Sequence, residues 1–269
     1  MRTLLKNHLK ELITPNGVVL AFSGGVDSAL LLCLLSKIKE ETSFNLYPVM
    51  IKTSFLPESD YLEAQKICQE LNEKLYTIDF SPFDIKELEF NPTNRCYICK
   101  KAMFSKLLDF AHNKNITTVL DGSNSDDKEV YRPGLKAIEE LKIISPLATL
   151  GINKANVRSL AKELNLSCAQ RPSTPCLATR FDYGTKLDAK MLEKVKRGEE
   201  IIKAYLPKNA DVRLRVDKKS CRIETNLEYF TTIIQNKKEL TTKLKELEFE
   251  YISLDLEGFR SGSYDKKLS

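Results

Sequence analysis

The sequence has few histidines and no long apolar runs. Of its 269 residues only His8 and His112 carry an imidazole, which excludes a three-histidine zinc site. A Ser-His-Asp triad would have to use one of these two. The strongest apolar runs, residues 18–22 and 29–35, fall well short of the roughly 20 residues that cross a bilayer. The opening residues, Met1-Arg2-Thr3-Leu4-Leu5-Lys6-Asn7-His8, soon turn charged again, unlike a secretory signal. A cytoplasmic location is expected, with no membrane partner. Hydrophobic residues make up 42% and charged residues 29%, which excludes a disordered chain, a collagen-like fibre and a disulfide mini-protein.

The length allows one large domain or two moderate ones, at roughly 100–200 residues each. Net charge is +5, from 42 Lys and Arg against 37 Asp and Glu. That mild excess suits anionic small molecules at least as well as nucleic acid. The seven cysteines are expected to be reduced in a cytosolic protein, so clustered ones point to metal binding or catalysis.

Val18-Val19-Leu20-Ala21-Phe22 is a continuous β-prone run, and residues 29–39 read as a buried helix. Further strands fit 46–52, 74–80 and 117–120, with helices over 61–72 and 94–113. Apolar strands alternating with helices predict a parallel sheet covered on both faces, a doubly wound α/β domain. Pro172, Pro175 and Gly184 interrupt the periodicity and open a smaller C-terminal α+β domain. The boundary is placed after residue 180, giving domains 1–180 and 181–269. The second is expected to hold a helix over 186–206, strands over 211–216 and 221–225, a helix near 227–247 and a strand over 248–256. The polar tail 261–269 is expected to fray.

Ser23-Gly24-Gly25-Val26-Asp27-Ser28 lies where a strand gives way to a helix. Its glycines permit close backbone approach, and the N–H groups opening the helix make an anion cradle. A tight turn with Ser and Asp as helix caps is the plainer alternative. The hexapeptide resembles the SGGxDS loop of PP-loop ATP pyrophosphatases, which split ATP into AMP and pyrophosphate. It lacks the Gly-Lys-Ser/Thr ending of a Walker loop.

Cys96 and Cys99 form a CxxC at a helix start beside Arg95, Lys100 and Lys101, a setting that favours thiolate. Cys176 lies in Pro175-Cys176-Leu177-Ala178-Thr179-Arg180, again beside an arginine. Two plus one matches a three-thiolate iron–sulfur site with one open iron position. Structural zinc would need a fourth ligand that no second CxxC supplies. Cys33 and Cys68 fit small core residues, and Cys168 and Cys221 have no distinguishing neighbours.

The ordered set of motifs is similar to the LarE family, ATP-dependent sulfur transferases that thiolate a pyridinium mononucleotide in nickel-pincer cofactor synthesis. It comprises 23–28, 91–100, Asp121-Gly122-Ser123-Asn124-Ser125-Asp126-Asp127, Tyr131-Arg132-Pro133-Gly134, Ser145-Pro146-Leu147, 154–158, 175–180 and 213–215. The resemblance implies a PP-loop ATP-binding domain followed by a substrate and oligomerisation domain. It aligns Cys176 with the cysteine that attacks the adenylated carboxylate and is left as dehydroalanine in single-cysteine members. Members with three cysteines hold a [4Fe-4S] cluster, and Cys96, Cys99 and Cys176 match that type. Asp27, Cys176 and Arg180 are the catalytic candidates, with Ser23, Gly24, Gly25, Asp27 and Ser28 around the ATP pyrophosphate.

Arg213 and Arg215 resemble paired arginines near the substrate phosphate. Two apart on a strand, they share a face, which is otherwise a solvated strand face. Glu199 resembles a family acid in that region. Asp121, Asn124 and Asp126 could hold Mg²⁺ or order basic side chains, with helix capping as the alternative. ATP, Mg²⁺ and the cluster are the implied cofactors. A mononucleotide, sulfide or another sulfur donor, and further copies of the chain are the implied partners. A tRNA thiolase would be expected to carry a basic RNA module, and an ammonia-using synthetase has no use for the three cysteines. A non-catalytic nucleotide sensor would not need such a density of Arg, Asp and Cys.

Overall fold

The computed structural model describes residues 1–128, 133–172, 174–207 and 209–260. Tyr131 and Arg132 of the Tyr-Arg-Pro-Gly segment, and the tail from residue 261, lie outside them. The chain divides into two compact units, Met1–Pro82 with Asn94–Ser173, and Phe83–Thr93 with Thr174–Ser269. The second unit thus takes in 83–93. Asn91 shows why. It is fully buried, its Nδ2 donates to the carbonyls of Phe181 and Asp182 at 3.1 and 2.9 Å, and the Asn91 carbonyl accepts from Gly184 N–H.

The first unit comprises α1 (Arg2–Leu12), β1 (Val18–Ala21), α2 (Val26–Thr42), β2 (Leu46–Lys52), α3 (Glu58–Glu70), β3 (Tyr76–Asp79), α4 (Arg95–His112), β4 (Val119–Leu120), α5 (Pro133–Glu140), α6 (Pro146–Thr149) and α7 (Lys154–Glu163). The strands form a parallel sheet in the order β3-β2-β1-β4, and a single bridge from Leu120 to Ile144 continues it beyond β4. Strand periodicity sends alternate residues to opposite faces. Val18 and Leu20 join a core with Leu5 and Leu9 of α1, the leucines of α2, and Val157 and Leu160 of α7. Val19 packs with Phe104 and Leu107 of α4 and Ile138 of α5. The sheet is therefore covered on both faces, as the apolar strands predict. α2 is buried along most of its circumference, as expected of a helix apolar nearly all round.

The second unit comprises α8 (Ala189–Lys203), β5 (Val212–Asp217), β6 (Ser220–Thr225), α9 (Phe230–Gln235), α10 (Lys237–Glu246) and β7 (Tyr251–Leu254). β5 and β6 form an antiparallel hairpin and β7 runs parallel to β6. Asp188 caps α8 by accepting from Met191 N–H. The single helix expected near 227–247 is corrected to a 3-10 turn, Leu227–Tyr229, followed by α9 and α10. The break falls at Asn236, whose side chain donates to the Thr232 carbonyl at 2.8 Å, competing with the helical ladder.

Candidate active site

The connection after β1 runs to β2 on one side, and the chain after β4 returns at Ile144 on the other, so the direction of winding switches between β1 and β4. At such a switch point α/β sheets bind ligands, beyond the carboxyl ends of the strands. The segment 23–25 stands there and leads into α2. Gly24 has φ +71, and a Cβ on it would lie 3.0 Å from the Asp60 carbonyl oxygen and the Ala64 nitrogen. Only glycine meets both demands. Ser28 Oγ donates to the Gly25 carbonyl at 3.1 Å and accepts from Ser23 N–H at 3.3 Å, closing the turn on itself. The first-turn amides of α2 have no intrahelical acceptor, and with the helix dipole they form an anion cradle.

β4 delivers Asp121 and Gly122 next to this loop, where a Cβ on Gly122 would come within 2.9 Å of Ser28 N. The cavity between holds about 260 Å³. Its apolar lining comes from Met50 and Ile51 of β2 and Phe104 and Leu107 of α4, its polar lining from Ser23, Asp27, Lys100 and Asp121. An apolar slot beside an anion cradle suits a nucleotide, base in one part and phosphates in the other.

Asp27 accepts from Asn124 Nδ2 at 3.0 Å and forms an ion pair with Lys154. Asn124 Oδ1 accepts from Asp126 N–H, and Asp126 accepts from the Lys154 amide, each at 3.0 Å. Asp121 accepts from Ser123 Oγ at 2.6 Å and from Ser145 Oγ, with Lys100 Nζ at 3.9 Å. Asn124 thus holds the Asp27 carboxylate, and Asp126 accepts from the first amide of α7, the helix that carries Lys154. Among the described residues no three His, Cys, Asp or Glu side chains are grouped to hold a metal ion.

The cysteines divide by environment. Cys33, Cys68, Cys168 and Cys221 are buried, and burial pushes their thiols up, to about 12 for Cys68 and Cys221 and about 11 for Cys168. These are protonated core side chains. Cys96 is exposed, and Cys99 and Cys176 are half-buried. Cys96 and Cys99 belong to α4 of the first unit and Cys176 to the second.

In the second unit Arg180 is buried and fully engaged. Nε and Nη2 donate to Glu199 at 2.7 and 3.0 Å, and Nη1 donates to the Pro175 carbonyl at 2.9 Å and to the Cys176 carbonyl at 3.3 Å. Glu199 also accepts from Leu214 N–H of β5. Arg213 and Arg215 do share a strand face, but it is buried, at 3% and 4% exposure, not solvated. Both pair with Glu224 across the hairpin. Arg215 also donates to the Thr179 carbonyl, and Arg213 lies over the Phe259 ring. Burial, then the neighbouring Arg215 and Arg180, lower Arg213 to about 10. Three buried arginines against two buried glutamates leave one surplus positive charge, a setting suited to an anion. Arg171, Asp60 and Glu224 had no sequence signal, because their partners are remote in the chain or carry no motif.

A strand-to-helix glycine loop without a Gly-Lys-Ser/Thr ending, beside an apolar-lined cavity at the switch point, has the features of the PP-loop class. Residues 1–127 match the PP-loop domain family. Similarity extends over most of the chain to the uncharacterized protein MJ0830 of Methanocaldococcus jannaschii, 35% identical over 96% of both chains. It extends likewise to slr1717 of Synechocystis sp., 32% identical over 93% of this chain and 92% of that one. The pyridinium-3,5-bisthiocarboxylic acid mononucleotide synthase of Lactiplantibacillus plantarum is 31% identical over 94% of this chain and 90% of its own. The chain belongs to the LarE family, the ATP-using sulfur-transferring enzymes of the PP-loop class. Among the described residues no helix is long and apolar enough to cross a membrane.

Proposed function

We propose that this enzyme adenylates a carboxylate of a pyridinium mononucleotide and exchanges the adenylate for sulfur, supplying a thiocarboxylate for a nickel-pincer cofactor in the cytoplasm. The observation that carries the reading is the juxtaposition, at one sheet edge, of the loop 23–28 and the apolar-lined cavity. ATP would lay its base in the cavity and its β- and γ-phosphates on the loop. A substrate carboxylate oxygen attacks the α-phosphorus, the bond to the bridging oxygen breaks, and pyrophosphate leaves. A sulfur nucleophile then attacks the acyl carbon and AMP departs with the bonding electron pair.

Lys154, paired with Asp27, is placed to neutralise phosphate charge. Mg²⁺ would arrive on the phosphates with Asp27, Asp121 or Asp126 at its edge, in keeping with an ion that prefers substrate phosphates and one or two carboxylates to a protein cage. In the second unit Arg213 and Arg215 are the candidate phosphate grip, with Glu199 and Arg180 holding the turn that carries Cys176. Cys96, Cys99 and Cys176 are the accessible thiols and the candidate ligands of a [4Fe-4S] cluster. That assignment rests on their sequence pattern. When bound, such a cluster would present sulfide on its open iron. The second unit is also the proposed contact between copies of the chain.

The reading is tested by incubating anaerobically purified protein with ATP, Mg²⁺ and the pyridinium dicarboxylate mononucleotide. AMP and pyrophosphate in equal amounts, with a thiocarboxylate product by mass spectrometry, are expected. ADP in place of AMP overturns the adenylation step.

A further inference from the structure

We propose that Arg171 is a positioning residue for the loop 23–28, locking the Gly24–Gly25 peptide in the orientation that presents the Gly25 N–H to phosphate. The inference rests on the reading of this loop as the pyrophosphate cradle.

Arg171 Nη1 donates to the Gly24 carbonyl at 3.2 Å, and Nη2 donates to Asp60 Oδ1 at 2.6 Å. Asp60 is 6% exposed and lies in the first turn of α3, on which Gly24 packs. The main chain that carries Arg171 is itself anchored, because Arg158 donates to the carbonyls of Ala169 and Arg171 at 2.8 and 3.0 Å. Residues distant in sequence thus converge on one peptide oxygen.

In a trans peptide the N–H points opposite to the carbonyl. With the Gly24 oxygen turned to Arg171, the Gly25 N–H is turned to Ser23 Oγ, 3.3 Å away, and Ser23 lines the cavity. A peptide between two glycines meets little steric resistance to rotation. Rotated by half a turn it would aim a carbonyl dipole at the incoming phosphate. A guanidinium held by a buried carboxylate opposes that rotation through a charge-assisted hydrogen bond. A lysine would keep the charge opposite Asp60, but its single ammonium lacks the planar fork that serves two acceptors at once.

The test is calorimetric titration of the full chain with pyrophosphate and, separately, with AMP. Arg171→Lys should weaken pyrophosphate by about tenfold while moving AMP by less than about twofold, the loss of one charge-assisted hydrogen bond felt at the phosphates alone. Asp60→Asn, which leaves the loop and Arg171 chemically intact, should show the same selectivity at smaller amplitude and covers the case of a poorly folded Arg171 variant. Equal losses for both ligands, or unchanged pyrophosphate affinity in the two variants, overturn the positioning role while leaving the cradle standing. Wild-type protein that binds AMP but not pyrophosphate overturns the cradle itself.

Discussion

Glu199 receives Nε and Nη2 of Arg180 at 2.7 and 3.0 Å, and the two side chains are 4% and 3% exposed. Because Nη1 of the same guanidinium serves the Pro175 and Cys176 carbonyls, this pair fastens α8 to the turn that presents Cys176. Its geometry is that of an anchor whose donors are already occupied.

Removing one partner of a buried pair strands the other charge, at a cost of about 3–5 kcal/mol. Glu199→Leu should lose stability in that range by urea unfolding. Arg180→Met combined with Glu199→Leu should lose less than the sum of the single changes, because neither charge is then left alone. Strict additivity would show that the two side chains are not coupled.

Asp27 joins the first turn of α2 to Asn124 and Lys154. Asp27→Ala should abolish AMP formation from ATP while leaving far-UV circular dichroism unchanged, since the side chain serves the loop and not the core. Lys154→Ala should mainly weaken ATP binding, read as a raised KM with a smaller change in kcat. A fully active Asp27→Ala protein would remove the carboxylate from the mechanism.

The four core thiols give stability a pH dependence with a definite sign. Their folded pKa values are raised, to about 12 for Cys68 and Cys221, above the ordinary thiol value of 9.0. Their contribution is therefore complete below pH 9 and is lost as pH climbs towards 12, because the unfolded chain releases those protons first. Cys221→Ala should show a shallower loss of stability between pH 9 and 12 than the wild type. In protein freed of any cluster, iodoacetamide at pH 8 should modify Cys96, Cys99 and Cys176 without denaturant, and all seven cysteines only in denaturant.

How much of this was legible in the sequence follows from the range of each interaction. The β1–loop–α2 unit was readable because strand, glycines and helix are consecutive, and the shared face of Arg213 and Arg215 because strand periodicity is local. The burial of that face was not, since it depends on Glu224 across the hairpin. The short helices α5 and α6 carry too few turns for an apolar period to stand out. The Asp60–Arg171 pair spans 111 positions, and no local pattern marks either partner. Asn236 looked like one more polar residue in a helix, and only its side-chain bond to Thr232 makes it a break.

Arg213 and Arg215, both held by Glu224, should act as one unit on the substrate's phosphate dianion. Replacing either with alanine should raise the KM for the mononucleotide more than it lowers kcat, the pattern of uniform binding. Each variant should also melt earlier, since it removes half of a buried pair of ion bonds. If both variants bind the mononucleotide as the wild type does, the arginines are structural only.

The source of the sulfur separates two routes that make different use of Cys176. In one, its thiolate attacks the adenylated carboxylate and AMP leaves. Removal of the Cα proton then breaks the Cβ–Sγ bond, leaving thiocarboxylate and dehydroalanine. That route consumes the chain, so product cannot exceed one per protein, and the residue loses about 34 Da, the mass of H₂S. In the other, Cys96, Cys99 and Cys176 are cluster ligands, no cysteine is consumed, and added sulfide supports many products per chain. We expect the second, because Cys96 and Cys99 lie one helical turn apart on α4 and remain accessible with Cys176, whereas the other four cysteines are buried. Anaerobically prepared protein should then be brown, and Cys96→Ala should lose both the chromophore and multiple turnover. Dehydroalanine at position 176 by intact-protein mass spectrometry, together with a fully active Cys96→Ala variant, would establish the sacrificial route instead.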